Sequence, residues 1–248
     1  MYMRPILFLL SLFITCILFG VEDDKDAKAF LYAVRMHKGK GTWADLRGEA
    51  VHKRRGSELK KTSIHFAIRF TPTQVFAKLL VGEKEGYTIG LFTSQDAERK
   101  VSVIPLFEET KEKPSILKYY GIRPEDLTMS FLYWDFEKEL EGERVSMQSC
   151  RVFRLKSSEK KEEATVYISE KYLFPLKVEW TRIGEEEYYR NLTVSSFKKV
   201  NGLWLIDALV LSGPGWRTKI SFDQCKAGTV NEGIIKGPFD FGPAHKEE

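Results

Sequence analysis

The fold class is decided by the stretch from Leu173 to Phe222, which reads LFPLKVEWTRIGEEEYYRNLTVSSFKKVNGLWLIDALVLSGPGWRTKISF. Apolar and polar residues alternate in Pro175–Thr181 and again in Trp216–Phe222, which indicates strands with one apolar face. Leu203–Leu211 is a nearly continuous apolar strand. Asn201-Gly202 is the two-residue signal of a type I′ hairpin, in which both central residues need a positive φ. The stretch therefore predicts an antiparallel meander with one apolar face and one solvated face.

The same period of two returns upstream, where it predicts a second meander. Its strands are Trp43–Arg54, Ile64–Phe70, Val75–Val81, Tyr87–Thr93 and Val101–Leu106. Between the meanders, further strands are predicted at Glu143–Ser149, Cys150–Lys156 and Ala164–Ser169, with a charged hairpin tip at Ser157–Glu163. The sum is about ten to twelve antiparallel strands, a mainly β chain with a small α component.

Two amphipathic helices would cover the apolar face of this sheet. After a cap at Asp24 or Asp26, helical spacing links four apolar residues, Ala27, Phe30, Leu31 and Val34. Pro124 suits the first turn of a second, short helix, which would place Leu127 and Phe131 on one face. One curved sheet with helices over its concave face fits best, and it would leave an apolar cavity for a long ligand. A packed β-sandwich, with the same aromatic residues as ordinary core, is the alternative.

The N-terminus predicts export. Residues 1–20 combine a basic start with an apolar run over Pro5–Phe19 and an abrupt acidic junction, as in a secretory signal peptide. Without cleavage the segment would be a membrane anchor. Cys16 lies in a poor context for lipidation. We expect one domain over residues 21–230 and a C-terminal tail at 231–248, in which Cys150 and Cys225 form a disulfide or remain two buried thiols.

Composition and motifs argue against several functions. The net charge is only +4, and the 30 % of charged residues are of interleaved sign without a basic stripe, so we expect no nucleic-acid binding. The four histidines have no metal-ligand spacing, and His65 is predicted to be an ordinary exposed residue. No nucleophile elbow or phosphate loop is present, so we predict no catalytic residue, metal or cofactor.

An enzyme would need Asp207, flanked by Leu205 and Leu209, to act as a buried general base beside a second titratable group. A structural role for Asp207 is the simpler interpretation.

Several motifs resemble those of one known family. They are Asp126-Leu127-Thr128 through Tyr133-Trp134, Glu139–Glu143, Cys150 with Val152–Leu155, Tyr167-Ile168, Phe174–Glu179 and Phe197–Trp204. With them the chain resembles the LolA-like outer-membrane lipoprotein-sorting proteins, most strongly from Asp126 to Phe222. The resemblance implies an unclosed antiparallel β-barrel, or half-barrel, with helices as a lid over an apolar cavity. It also implies a periplasmic carrier of lipoprotein acyl chains or lipid, with an inner-membrane transporter and an outer-membrane acceptor as partners.

We expect this carrier to be a monomer that binds acyl chains without covalent chemistry. The cavity wall is predicted to consist of Phe30, Leu31, Phe66, Ile68, Leu79, Leu127, Phe131, Val178, Trp180, Leu205 and Leu209. In the family an arginine followed by proline and an aromatic residue holds the lid closed, and Arg69, followed by Pro72 and Phe76, matches loosely. The alternative is an interaction or sensor domain of the same fold, which binds a protein segment or lipid and regulates a membrane partner.

Overall fold

A computed structural model describes residues 25–36, 41–71, 73–82, 85–92, 101–107, 115–157 and 159–229. The predicted signal peptide, Cys16, Pro72 and the C-terminal tail lie outside these residues.

The described residues form twelve strands in one antiparallel sheet. The strands are β1 Thr42–Arg54, β2 Lys60–Phe70, β3 Gln74–Val81, β4 Glu85–Phe92, β5 Val101–Pro105, β6 Asp135–Val145, β7 Gln148–Ser157, β8 Glu162–Ser169, β9 Phe174–Arg182, β10 Arg190–Val200, β11 Leu203–Gly213 and β12 Trp216–Thr229. Their order is β5-β4-β3-β2-β1-β12-β11-β10-β9-β8-β7-β6. Strand β12 returns to pair with β1 and so joins the two predicted meanders, while the edge strands β5 and β6 leave the sheet unclosed. The half-barrel is therefore confirmed, and the β-sandwich is not the arrangement of the described strands.

The helices lie on one face of this sheet. Helix α1 occupies residues 25–36, α2 is Ile116–Tyr120, α3 is Pro124–Leu127, and a 3₁₀ turn follows at Ser130–Tyr133. We call residues 115–134 the lid segment. It was predicted to contain one short helix, but Gly121 at φ 68° and Met129 at φ 57° divide it into three turns.

One of two hairpin turns was predicted from its residues, and the other was not. Asn201 and Gly202 have φ values of 48° and 83°, so the predicted hairpin is confirmed. The strand predicted over Glu143–Ser149 is wrong, because Ser146 and Met147 form a turn with φ values of 49° and 64°. The strand β6 before that turn was missed, because this edge strand is largely exposed and charged and shows little apolar alternation.

The core lies between the concave face of the sheet and the helices. Leu46, Phe66, Leu79 and Tyr87 pair in register across β1 to β4, so their side chains point to the same face. That face carries one large apolar cluster, which also includes residues of α1 and the lid segment. A smaller cluster around Cys150, Val152, Tyr167 and Leu176 is separate from it.

Candidate functional site

The residues predicted to line a cavity come together in one place. All eleven belong to the apolar cluster under the helices; nine are buried, whereas Phe30 and Leu205 are half-buried. Their side chains pack against neighbours: the rings of Phe131 and Trp180 are 5.6 Å apart, edge to face, and Phe30 stacks on Phe153 at 5.6 Å. In this closed arrangement they form a packed interior, and their role in ligand binding stays a prediction.

A buried ion pair attaches the lid segment to the sheet. Arg190 at the start of β10 contacts the carboxylate of Asp126 in α3, with side chains 4 % and 5 % exposed. Its Nη2 also donates to the carbonyl oxygen of Gly121 at 3.0 Å, and its guanidinium lies 4.6 Å from the ring centre of Trp180. These contacts place a cation inside an apolar interior, where a charge is costly unless it is paired.

Two further ion pairs, which are more exposed than the first, also involve the lid segment. Both Nη atoms of Arg123 donate to Glu162, at 2.7 and 2.9 Å, and Nη2 donates also to the Tyr189 hydroxyl at 2.8 Å. Lys160 forms an ion pair with Glu125 of α3. Burial would raise the pKa of Glu162, but hydrogen bonds from Arg123 and Tyr189 outweigh it and lower that pKa. Burial is the main cause that raises the pKa of Tyr189 to about 12.

The other end of the lid segment is held by uncharged contacts and one carboxylate. Glu85 of β4 accepts hydrogen bonds from the Ser115 hydroxyl at 2.6 Å and the Ile116 amide at 2.5 Å, so it caps α2. The hydroxyl of Thr218 in β12 donates to the carbonyl oxygen of Tyr120 at 2.5 Å. The lid segment is thus tied to both halves of the sheet.

His52 contacts Thr218 and so contributes to holding this end of the lid segment. Because the single hydrogen of the Thr218 hydroxyl goes to Tyr120, that hydroxyl accepts from His52 Nδ1 at 2.8 Å, which assigns the Nδ1–H tautomer. The imidazole is fully buried beside the rings of Tyr119, Tyr120 and Trp216. Burial, with the charges of Arg54 and Lys60, lowers the pKa of His52, so it is neutral at pH 7.

Arg190, rather than Arg69, contacts the lid segment. Arg69 lies between Ile68 and Phe70 on β2 and pairs in register with Trp43 and Phe76, so its side chain points away from the helices. Sequence reasoning missed Arg190, although a signal was present, since this cation shares the apolar face of its strand with Leu192 and Val194.

A cavity of about 370 Å³ lies between the lid segment and the sheet, within the size range of ligand pockets. Apolar and aromatic side chains dominate its lining, with three cations and one carboxylate. The lining residues are Tyr87, Val103, Ser115, Leu117, Lys118, Gly121, Ile122, Arg123, Pro124, Glu125, Tyr189, Arg190 and Trp216. None of the eleven predicted residues is among them.

A second cavity, of about 550 Å³, is lined by residues of β1, β2, β3 and β12 and lies beside an unexpected hydrogen-bonded pair. His65 Nε2 is 2.6 Å from the Asp45 carboxylate, which is buried. His65 is half-buried, so the prediction of an ordinary exposed histidine is wrong. The described residues contain no group of three or more His, Cys, Asp or Glu that could hold a metal ion.

Asp207 forms a hydrogen bond within the sheet, and the two cysteines are not bonded to each other. Ser196 pairs with Ala208 and Phe197 with Ile206, so Asp207 is the extra residue of a bulge, and its carboxylate accepts from the Ser196 hydroxyl at 2.9 Å. Cys150 and Cys225 are both free thiols, and burial raises the pKa of each. Of the two alternatives that the sequence left open, the unpaired thiols are observed.

The open twelve-stranded sheet with helices on its concave face is a LolA-like fold. Similar solved structures include a DUF1329 family protein from Desulfovibrio piger, with a TM-score of 0.61, 10 % identity, and coverage of 82 % of this chain and 92 % of that one. An outer membrane lipoprotein-sorting protein domain from Vibrio parahaemolyticus has a TM-score of 0.59 and 14 % identity, over 84 % and 92 % of the two chains. A LolA superfamily protein from Nitrosomonas europaea has a TM-score of 0.52 and 9 % identity, over 81 % and 92 %.

These likenesses concern the fold. No protein-family profile matches the chain, and no curated protein matches it in sequence. Within the part of the chain that the structure describes, no helix has the length and apolar character needed to cross a membrane.

Proposed function

We propose that this protein is an exported carrier that buries acyl chains of a lipoprotein or lipid between its sheet and its lid segment. The observation that carries the proposal is the continuous apolar cluster under helices that are joined to the sheet by polar contacts. Such contacts can exchange for water when the lid segment moves, whereas the apolar faces need a new apolar partner. An acyl chain is such a partner.

The energetics favour reversible binding. Burial of one methylene contributes about 0.8 kcal/mol, so roughly ten methylenes contribute on the order of 8 kcal/mol before the cost of opening. Opening costs the separation of Arg190 from Asp126 and of Arg123 from Glu162. The same charges re-form their pairs after release, which favours the closed empty state. No covalent step is needed, and we assign no catalytic residue.

The expected setting is the periplasm. A carrier of this kind would receive its cargo from an inner-membrane transporter and deliver it to an outer-membrane acceptor, as a monomer. The fold of the lipoprotein-sorting domain from Vibrio parahaemolyticus supports this part of the proposal by analogy.

The test is native mass spectrometry of the full chain produced in an exporting host, followed by organic extraction and lipid analysis. We expect co-purifying acyl species, and uptake of a fluorescent fatty-acyl probe by delipidated protein. Leu205→Glu should reduce both, because Leu205 packs against the apolar cluster. The matched control is Trp204→Glu, since the neighbouring Trp204 is 63 % exposed. A clean mass together with no probe uptake by the unmodified protein would overturn the proposal.

A second candidate, an interaction domain, is favoured by one surface. Edge strand β5 and its neighbours expose large apolar side chains, namely Phe92, Val103, Ile104, Leu106 and Phe107. An unpaired edge can add an extended segment of a partner protein as a further strand. The same mass spectra test this function, which predicts a peptide or protein adduct instead of an acyl species, with slowed amide exchange in β5.

A further inference from the structure

We propose that the 370 Å³ cavity beside the lid segment binds the anionic head, a carboxylate or a phosphate, of a single-chain amphiphile, with Arg190 and Lys118 as its recognition residues. The inference rests on the proposed function and deepens it, because it names the class of cargo and the place of its polar end.

The first observation is an unused donor. Arg190 is 3 % exposed and lines the cavity. Its Nε and Nη2 donate to Gly121 and Asp126, but its Nη1 is buried without a hydrogen-bond partner among the described residues. A buried N–H group without an acceptor is costly, and a guanidinium hydrogen-bonds carboxylate and phosphate oxygens especially well. Because Nη1 itself is closed off from solvent, a ligand oxygen reaches it when the lid segment moves, and that oxygen would then remove the cost.

The second observation is the charge of the lining. Lys118, Arg123 and Arg190 contribute three cations, and Glu125 contributes one carboxylate. Glu125 is itself paired with Lys160, which lies outside the lining. Lys118 forms no ion pair with any residue that the structure describes, and its side chain is exposed. Arg123 and Arg190 are likewise paired, with Glu162 and Asp126, so Lys118 leaves the cavity mouth with a positive excess, which attracts an anion more than a neutral or cationic head.

The third observation is the way in which the cavity continues into the interior. Leu117 and Ile122, which line it, also belong to the buried apolar cluster, and Trp216 packs against that cluster. A head group held at Arg190 would therefore have its chain directed along apolar side chains toward the apolar cluster under the lid segment. A charged head with a single apolar tail is the chemistry that matches both parts of the lining.

The test is isothermal titration of delipidated full chain with four dodecyl compounds that differ only in the head: dodecanoic acid, dodecyl phosphate, dodecanol and dodecyltrimethylammonium. We expect at least one of the two anions to bind at least 10-fold more tightly than the neutral and cationic compounds. The carboxylate and phosphate arms decide whether the head is that of a fatty acid or of a phosphate monoester. Equal affinity for all four heads overturns this inference but leaves the carrier intact, whereas no binding of any compound overturns the proposed function itself.

Variants locate the anion. Lys118→Glu, at an exposed position, is expected to reduce the preference for anions at least 3-fold, and Lys138→Glu on exposed β6 is the matched control. The double variant Asp126→Asn/Arg190→Gln removes the buried pair without leaving a lone charge, and should abolish the preference while dodecanol binding persists. An unchanged preference in Lys118→Glu, or in the folded double variant, contradicts the assignment, so the result does not depend on either variant alone.

Discussion

The guanidinium of Arg190 and the carboxylate of Asp126 form an ion pair inside the apolar interior, 64 residues apart in the chain. Arg190 belongs to a strand and Asp126 to the lid segment, so this pair sets where the lid segment rests. Each charge would be costly if buried alone. The closed position is therefore specific, and separation of the two residues requires that water reach both.

Asp126→Asn should strongly destabilise the protein. The substitution leaves the charge of Arg190 buried without a counter-ion, and such a loss costs about 3–5 kcal/mol. Urea unfolding followed by tryptophan fluorescence measures the free energy of unfolding. The control is Asp135→Asn, at an exposed position at the start of β6. The double variant with Arg190→Gln should recover much of the loss; a single variant as stable as the unmodified chain would show that the pair does not hold the lid segment.

Gly121→Ala should lower the melting temperature more than an ordinary glycine substitution. Gly121 ends α2 at φ 68°, and a Cβ there would lie 2.4 Å from the ring of Trp216. Gly184→Ala is the matched control, since Gly184 has φ 86° but open space around its Cβ position. The control reports the cost of the backbone conformation, about 1 kcal/mol. Equal losses in the two variants would show that Trp216 moves aside freely.

His52 should make stability depend on pH. Its pKa in the folded state is lowered by burial, while in the unfolded chain it is about 6.5. Below that pH the unfolded state binds more protons than the folded state, so the free energy of unfolding falls as the pH falls toward the lowered pKa. His52→Asn can keep the donor to Thr218 but does not titrate. We expect a smaller loss of stability between pH 8 and pH 5 in this variant, measured by urea unfolding; an identical loss would assign the pH dependence to other groups.

Glu85→Ala should loosen the start of α2. The Glu85 carboxylate accepts from the Ile116 and Leu117 amides at 2.5 and 3.3 Å, and the loss of a helix cap typically costs about 1 kcal/mol. Hydrogen exchange of those two amides should accelerate. Glu49→Ala serves as the control, because among the described residues Glu49 forms only an exposed ion pair with Lys61. Unchanged exchange at Ile116 would mean that packing of Leu117 and Tyr120 holds the helix without its cap.

The strands of the sheet were predictable where one face is buried. Apolar alternation in β2, β3, β9 and β12 reflects contact with the core, so neighbouring residues in the chain carry the signal. Strand β6 escaped prediction because it is exposed and charged, and its turn at Ser146 and Met147 lacks the usual glycine or asparagine. The division of the lid segment into three turns was also not predicted, because methionine rarely adopts the left-handed conformation that Met129 has here.

The sequence by itself determined the strands that bury one face and the apolar face of the sheet, because both are local properties of residues close together in the chain. The tertiary structure decided which distant residues meet: that β12 pairs with β1, that Arg190 rather than Arg69 contacts the lid segment, and that His52 supports α2 through Thr218. The physical reason is that a charged or polar side chain on an apolar face must find a partner, and the order of the strands together with the position of the lid segment determines which partner lies within reach.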